Sequence, residues 1–385
     1  MAETADAAVV GGGVIGLTSA RELRRASVER VVVLEAETTV GQGSSSRANG
    51  GVRAQFSTKV NIEFSRFSIH DLERLNEEHG LPAFHQTGYL LLTGNPEAAS
   101  DLREAMALQR SLGVETQWMD TTEILETAPL VRPDGLLGGT FHSRDGFVDP
   151  YGVVQAVLAE ARSLGVEVRT GHPVQAMEPS SGNGFLIHLS NGDAIRASWV
   201  VNAAGADARG VAAMLGADVP VDPVRRNLAF IPEPEPGPLI PMCVDLDTGV
   251  LIRREVSGGF VVGYSDPSDK PSRETSVDPR FVEALADRVG NRFPFLESLP
   301  IDPRKCWAGL YPETPDHHAI VGVTPGLPKF IQCVGFGGHG IMHSPAAGRA
   351  VAELVTRGAC TSFDLDALRP SRFSEGDLVE ETAVF

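Results

Sequence analysis

Val9-Val10-Gly11-Gly12-Gly13-Val14-Ile15-Gly16, continued by a helical pattern and then by Val31-Val32-Val33-Leu34-Glu35, decides the fold of this chain. A short apolar strand enters a glycine turn, a helix and a second strand, and an acidic residue follows about twenty positions past the glycines, the arrangement that binds a dinucleotide. Gly11 permits the tight turn. Gly13 lets backbone N–H groups at the start of the helix, where Val14 and Ile15 lie, approach a pyrophosphate, and Gly16 lets that helix pack closely on the strand. A carboxylate at Glu35, followed by Ala36, suits the free hydroxyl pair of a ribose and repels a 2′-phosphate, so FAD or NAD is favoured over NADP.

The same device returns near the other end of the chain. Strand Phe330-Ile331-Gln332-Cys333-Val334 runs into Gly335-Phe336-Gly337-Gly338-His339-Gly340 and then a helix from Ile341 to Arg357. Two such devices imply that both chain ends build one cofactor site. A helix N-terminus directed at a flavin would stabilise the negative charge that develops on its N1–C2=O edge. A third cluster, Gly43-Ser44-Ser45-Ser46-Arg47-Ala48-Asn49-Gly50-Gly51-Val52-Arg53-Ala54-Gln55-Phe56, combines hydroxyls, backbone donors and two arginines suited to phosphate and to a carboxylate.

The chain has 385 residues, enough for two lobes, because single cores rarely exceed about 250–300 residues. A net charge of −17 disfavours nucleic acid and an anionic membrane surface. No apolar run approaches the roughly 20 residues needed to cross a bilayer, and the first strand leaves no room for a signal sequence, so a cytoplasmic protein is expected. Cys243, Cys306, Cys333 and Cys360 have no paired spacing for zinc or a redox dithiol. No carboxylate stands at metal spacing beside His317 and His318, so no metal is expected.

Helical signals over 59–113 are interrupted by a strand at 87–93, and Asp149-Pro150 opens a helix from Tyr151 to Leu164, followed by the strand Val166 to Arg169. Phe185 to Leu189 and Ala194 to Arg196 read as a hairpin about Asn191-Gly192, and Trp199 to Asn202 as a separate buried parallel strand ending in Ala203-Ala204-Gly205. Between 220 and 305, proline-rich connections (Pro232, Pro234, Pro236, Pro238, Pro241) separate β-like segments such as Gly249 to Ile252 and Gly259 to Tyr264, a second, antiparallel domain.

The three glycine clusters, together with Trp307-Ala308-Gly309-Leu310-Tyr311-Pro312-Glu313-Thr314-Pro315-Asp316, resemble the FAD-dependent amino acid oxidoreductases of the D-amino acid oxidase superfamily. Within it the chain is most similar to glycine and sarcosine oxidases and to the flavin-bearing β subunits of sarcosine oxidase and L-proline dehydrogenase. The resemblance implies an α/β fold with a discontinuous Rossmann-type FAD-binding domain (1–85, 145–218 and 315–385) and a second α+β substrate domain built on an antiparallel sheet (86–144 and 219–314). It puts Gly11, Gly13, Val14, Ile15 and Gly16 at the pyrophosphate and Glu35 with Ala36 at the adenosine ribose. Ser44, Ser45 and Arg47 then run along the phosphates, with Asn49, Gly50 and Gly51 next to them, and Val174 meets the adenine. Ala203, Ala204 and Gly205 flank the dinucleotide, Gly309 faces it, and Gly337, Gly338, His339, Gly340, Ile341 and Met342 border the flavin pyrimidine. Arg53 grips the substrate carboxylate, with Tyr264, Tyr311, His339 and Met342 about the substrate.

Departures from the family pattern refine this expectation. Gly309 stands where covalent-flavin sarcosine oxidases place a cysteine, which implies non-covalent FAD. Met342 stands where monomeric sarcosine oxidase has a carboxylate-binding lysine, and Val261 where those oxidases keep a lysine that assists oxygen, which leaves oxidase and dehydrogenase both open. No histidine near Asp149 matches the one that carries a second flavin. The implied reaction is oxidation of the C–N bond of a small, secondary or N-methyl amino acid such as sarcosine, glycine or proline to an imine, by hydride transfer to flavin N5. The electrons pass to oxygen or to an acceptor protein or quinone, and a homo-oligomer or a partner subunit is compatible with the reading. The alternatives are a D-amino acid or 2-hydroxy acid dehydrogenase, or a flavin-bearing electron-transfer subunit.

Overall fold

The computed structural model describes residues 3–81, 83–180, 184–235 and 237–383; Pro236 of the proline-rich connection lies outside them. Two eight-stranded sheets organise the chain. The first runs in the order Ile320–Val323, Phe330–Val334, Ala194–Asn202, Glu3–Val10, Val31–Leu34, Glu167–Arg169, with Val174–Ser180 and Gly184–Leu189 as an antiparallel arm on Ala194–Asn202. Neighbours along the main path are parallel except Ile320–Val323, which pairs antiparallel with Phe330–Val334.

Both faces of this sheet are covered, and the period of two shows it directly. Ala7, Val9, Val31 and Val33 pack into one core with helices Val14–Arg25, Lys59–His79, Pro150–Ser163 and Gly340–Arg357. Ala8, Val10, Val32 and Leu34 pack into another with the hairpin 174–189 and helix Ala208–Ala213. A Cβ on Gly348 would lie 2.7 Å from the Thr18 carbonyl oxygen, so the first and last long helices approach with no side chain between them at that point. Arg21, 1% exposed, holds three helices together by pairing with Glu22, Asp71 at 2.6 Å and Glu160 at 2.9 Å.

Ala194–Asn202 is one nine-residue strand and not the hairpin arm plus separate strand expected from the sequence. Glu3–Val10 pairs along the whole strand, while the other edge changes partner: the first half, with its polar alternation, pairs with the arm, and the buried end pairs with Phe330–Val334. A change of environment along one strand therefore read as a break.

The second sheet runs Cys306–Glu313, Asp222–Ile231, Phe260–Tyr264, Val250–Arg254, Met242–Asp245, Tyr89–Thr93, Gly138–His142, Gln117–Met119. All pairings are antiparallel except Met242–Asp245 with Tyr89–Thr93. Helix Phe281–Arg292 covers its outer face, packing with Ala229, Ile231, Ile252 and Val262. The inner face, carrying Tyr89, Leu91, Leu228, Met242, Leu251 and Val261, turns towards the first sheet. Among the described residues no helix is long and apolar enough to cross a membrane.

Candidate functional site

A cavity of about 720 Å³ lies between the sheets, where the carboxyl ends of four parallel strands open. Val10, Leu34, Ala203 and Val334, each at or next to such an end, line it. Chain order reverses between Glu3–Val10 and Ala194–Asn202, so the cavity sits at the switch point at which open α/β sheets bind their ligands.

The glycines divide into two kinds here. Gly11 has φ +109°, and a Cβ on it would lie 2.4 Å from the Ala203 carbonyl oxygen. A Cβ on Gly16 would lie 1.9 Å from the Gly11 carbonyl oxygen, so Gly16 works behind the cavity and does not line it. Gly13 does line it: as N-cap of helix Val14–Arg25 it offers no side-chain acceptor, and its missing Cβ keeps the first amides of the helix open. Val14 N–H donates to Ser45 Oγ at 3.0 Å. The Glu35 carboxylate accepts from Gly12 N–H at 2.7 Å and Glu37 N–H at 2.8 Å, which fixes it at the cavity wall beside Ala36. A helix terminus that attracts an anion and a carboxylate that accepts ribose hydroxyls, separated by a glycine cradle, fit a dinucleotide.

Val174, Ala204, Gly205, Asn49, Ile15, Gly309, Gly337, Gly338, Gly340 and Ile341 also line the cavity. The 44–47 loop is clasped to the edge of the second sheet. Ser44 Oγ donates to the Leu310 carbonyl at 2.5 Å, Arg47 Nη1 to the Ala308 carbonyl at 2.9 Å, and Trp307 Nε1 to the Arg47 carbonyl at 2.9 Å. Arg47 thus lines the cavity while spending a guanidinium donor on the sheet, an attachment that only the folded register reveals.

Several expected positions lie elsewhere. Gly50 and Gly51 sit one layer back: a Cβ on Gly50 would lie 2.2 Å from the Val148 carbonyl oxygen and one on Gly51 3.0 Å from Met242 Sδ. Met342 is buried in the helix-side core, because helix Gly340–Arg357 turns Gly340 and Ile341 to the cavity and the next residue inward. Arg53 and His339 do not line the cavity either. The Arg53 guanidinium donates to the carbonyls of Gln55 and Ala383, lies 3.9 Å from the Phe56 ring centroid, and comes within 3.4 Å of His339 Nε2. Burial lowers its proton affinity, while Glu381 and Asp145 act the other way. Burial, helped by the nearby Arg53 charge, pushes His339 well below its usual range and keeps it neutral. The segment 381–383, given no role by the sequence, is what covers Arg53.

Tyr264 touches the rim, but its ring belongs to the outer face, stacked on Phe281 at 5.7 Å with Arg288 4.4 Å over it. Its neighbour Gly263 falls on the inner face, opposite Leu228 and Leu251. Tyr311 is on the inner face and packs over Gly338, where a Cβ would lie 2.6 Å from its ring. Burial raises its hydroxyl above the ordinary value, with Arg226 and Arg53 opposing. Arg226, Leu228 and Leu251 complete the inner wall, and none was singled out from sequence.

Comparison with known proteins agrees with this geometry. The family described as DAO, FAD dependent oxidoreductase, matches residues 6–354. FAD-dependent oxidoreductase domain-containing protein 1 of Xenopus laevis is 30% identical, covering 99% of this chain and 85% of that protein. Mitochondrial dimethylglycine dehydrogenase of Rattus norvegicus is 29% identical over 99% of this chain, which spans 46% of that enzyme. L-Proline dehydrogenase from P. horikoshii superposes with a TM-score of 0.91 at 27% identity, covering 98% of this chain and 100% of that one. Glycine oxidase from Geobacillus kaustophilus gives 0.84 at 27%, covering 96% and 99%. With a dinucleotide cradle at the switch point and the family match running through nearly the whole chain, this protein belongs to the DAO family of FAD-dependent oxidoreductases.

Proposed function

We propose that the protein oxidises the C–N bond of a small secondary or N-methylated amino acid, of the class of sarcosine or proline, to an imine. The observation that carries this reading is the wall opposite the glycine turn 337–340. It combines a guanidinium (Arg226), a half-buried tyrosine (Tyr311) and the apolar side chains Leu228 and Leu251. Such a wall suits a ligand with a carboxylate and alkyl groups on nitrogen. Similar proteins named for dimethylglycine and L-proline support the choice, since both compounds carry at least two carbon substituents on nitrogen.

FAD, when bound, supplies the two-electron oxidant. Gly11, Gly13, Ser45 and Glu35 would hold it, and Gly337, Gly338, Gly340 and Ile341 would border its redox-active part. The chain's further contribution is to orient the amine and to keep water out under the second sheet. Among the described residues, the strands of that sheet bring neither a carboxylate nor a histidine to the cavity. The substrate nitrogen would then give its proton to solvent as it binds, a loss that the nearby Arg226 charge favours and that requires no side-chain base.

Anaerobic mixing of the FAD-loaded protein with sarcosine, proline and D-alanine tests the reading. Bleaching of the flavin by sarcosine or proline, faster than by D-alanine, is expected. No bleaching by either secondary amine would end it.

A further inference from the structure

The geometry points to Arg226 as the residue that receives the substrate carboxylate, side-on through Nε and Nη2, with Asp269 holding the opposite edge of the guanidinium. The assignment rests on the amino acid reading above and moves the anchor from Arg53 to the sheet.

Consecutive arginines on strand Asp222–Ile231 point to opposite faces, as the pleat requires. Arg225 goes outward and spends its donors on Glu274 at 3.0 Å and Asp278 at 2.6 Å. Arg226 goes inward and lines the cavity. Its cross-strand partner is Gly309, so no side chain on the edge strand competes for the space beside it. Its guanidinium carbon lies 5.6 Å from the Tyr311 ring centroid.

The hydrogen bonds of Arg226 leave one edge of its guanidinium available. Nη1 donates to Asp269 at 2.6 Å, while Nε is buried and has no partner among the described residues. A buried N–H without an acceptor is costly, and such groups are rare in folded proteins. The Nε–Nη2 edge is the planar fork that takes both oxygens of one carboxylate. Leu228 and Leu251 give this part of the wall a low polarity, which strengthens a charged pair formed there. Asp269 does not line the cavity, so a ligand carboxylate completes the guanidinium without displacing it. Arg53, by contrast, is covered by the carbonyls of Gln55 and Ala383.

The test titrates FAD-loaded wild type, R226Q, R226K and R53Q with acetate and propionate, followed by the flavin spectrum, and measures FAD affinity for each. The same proteins are then reduced anaerobically with proline and with pyrrolidine, which lacks the carboxylate. R226Q should weaken carboxylate binding by about 30- to 100-fold, the loss of a two-point charged contact, with FAD affinity unchanged. It should raise KM for proline by a similar factor and affect pyrrolidine, which has no carboxylate and keeps only the influence of the Arg226 charge on its amine proton, far less than proline. R226K, which keeps the charge but not the fork, should fall between, and it decides the matter if R226Q does not fold. Wild-type carboxylate affinity in R226Q and R226K overturns the assignment. So does a loss of FAD affinity with carboxylate binding intact, which would make Arg226 a cofactor contact, or a loss confined to R53Q. If wild type binds carboxylates through Arg226 but no amine reduces the flavin, the assignment stands and the amine-oxidation reading fails.

Discussion

Gly16 and Gly13, three residues apart, should fail in opposite ways when each becomes alanine. At Gly16 the new methyl would sit 1.9 Å from the Gly11 carbonyl oxygen and 3.3 Å from Val9 Cγ1. The first of these is backbone, which no rotamer change relieves, so helix Val14–Arg25 must move off the strand. Overpacking of this kind costs about 1–3 kcal/mol, and here the upper half of that range applies. In a lobe of roughly 150–250 residues each kcal/mol lowers Tm by about 2–4 °C, so the apoprotein should lose about 4–12 °C. At Gly13 the methyl would meet only Ser45 Oγ at 3.3 Å, a side-chain atom and not backbone. The apoprotein should therefore change by no more than about 0.5–1 kcal/mol, the difference between glycine and alanine at an N-cap. Its penalty falls on the ligand, because that methyl stands in the cavity over the first amides of the helix. FAD affinity should fall at least about tenfold, or 1.4 kcal/mol. Thermal denaturation of the two apoproteins and FAD titration by fluorescence quenching measure both quantities. If G13A melts earlier than G16A, or if G16A leaves apoprotein Tm unchanged, the division into packing and ligand-facing glycines is wrong.

The far end of the chain should contribute stability that disappears in acid. The Glu381 carboxylate accepts from Ser57 N–H and Oγ–H, Thr58 N–H and Oγ1–H, and Asn61 Nδ2, and so caps helix Lys59–His79 from about 320 residues away. Burial alone would push its pKa up, but these donors more than offset that and hold it below 4.5. A carboxyl depressed in the folded state stabilises fully above its unfolded value and loses that contribution as pH falls through the folded one. E381Q should be less stable than wild type by about 1–3 kcal/mol at pH 7, and urea denaturation should show the gap closing below pH 4. A gap unchanged down to pH 3 would show that the carboxylate charge plays no part. FAD should leave the protein on acid precipitation and appear in the supernatant. Gly309 lies on the inner face, whereas Cys306, three residues earlier on the strand, points to the outer face with its Sγ 3.6 Å from the Asp302 carbonyl. Yellow colour retained on the denatured chain would refute this placement.

Hydrophobic pattern and glycine spacing identify elements well when both faces of a strand are buried or when a turn admits only glycine, and poorly when the question is which face a residue takes. Val9 to Leu34 was readable because Gly16 is dictated by the Gly11 carbonyl within the same thirty residues and Gly11 by its own positive φ. Phe260-Val261-Val262-Gly263-Tyr264 was readable as a strand, yet apolar residues on both faces leave no alternation to show parity. One step of register exchanges Gly263 for Tyr264 on the inner face. Arg225-Arg226 carries the same ambiguity in charged form, and only the pairing of Arg226 with Gly309, more than eighty residues on, resolves it. Arg53 was opaque for a different reason: its guanidinium donates to the Ala383 carbonyl, a contact across more than three hundred residues that no local pattern encodes. What a β-roofed site presents to its ligand is thus set by strand parity and by long-range closure. In this chain both favour the arginine on the sheet over the arginine in the loop.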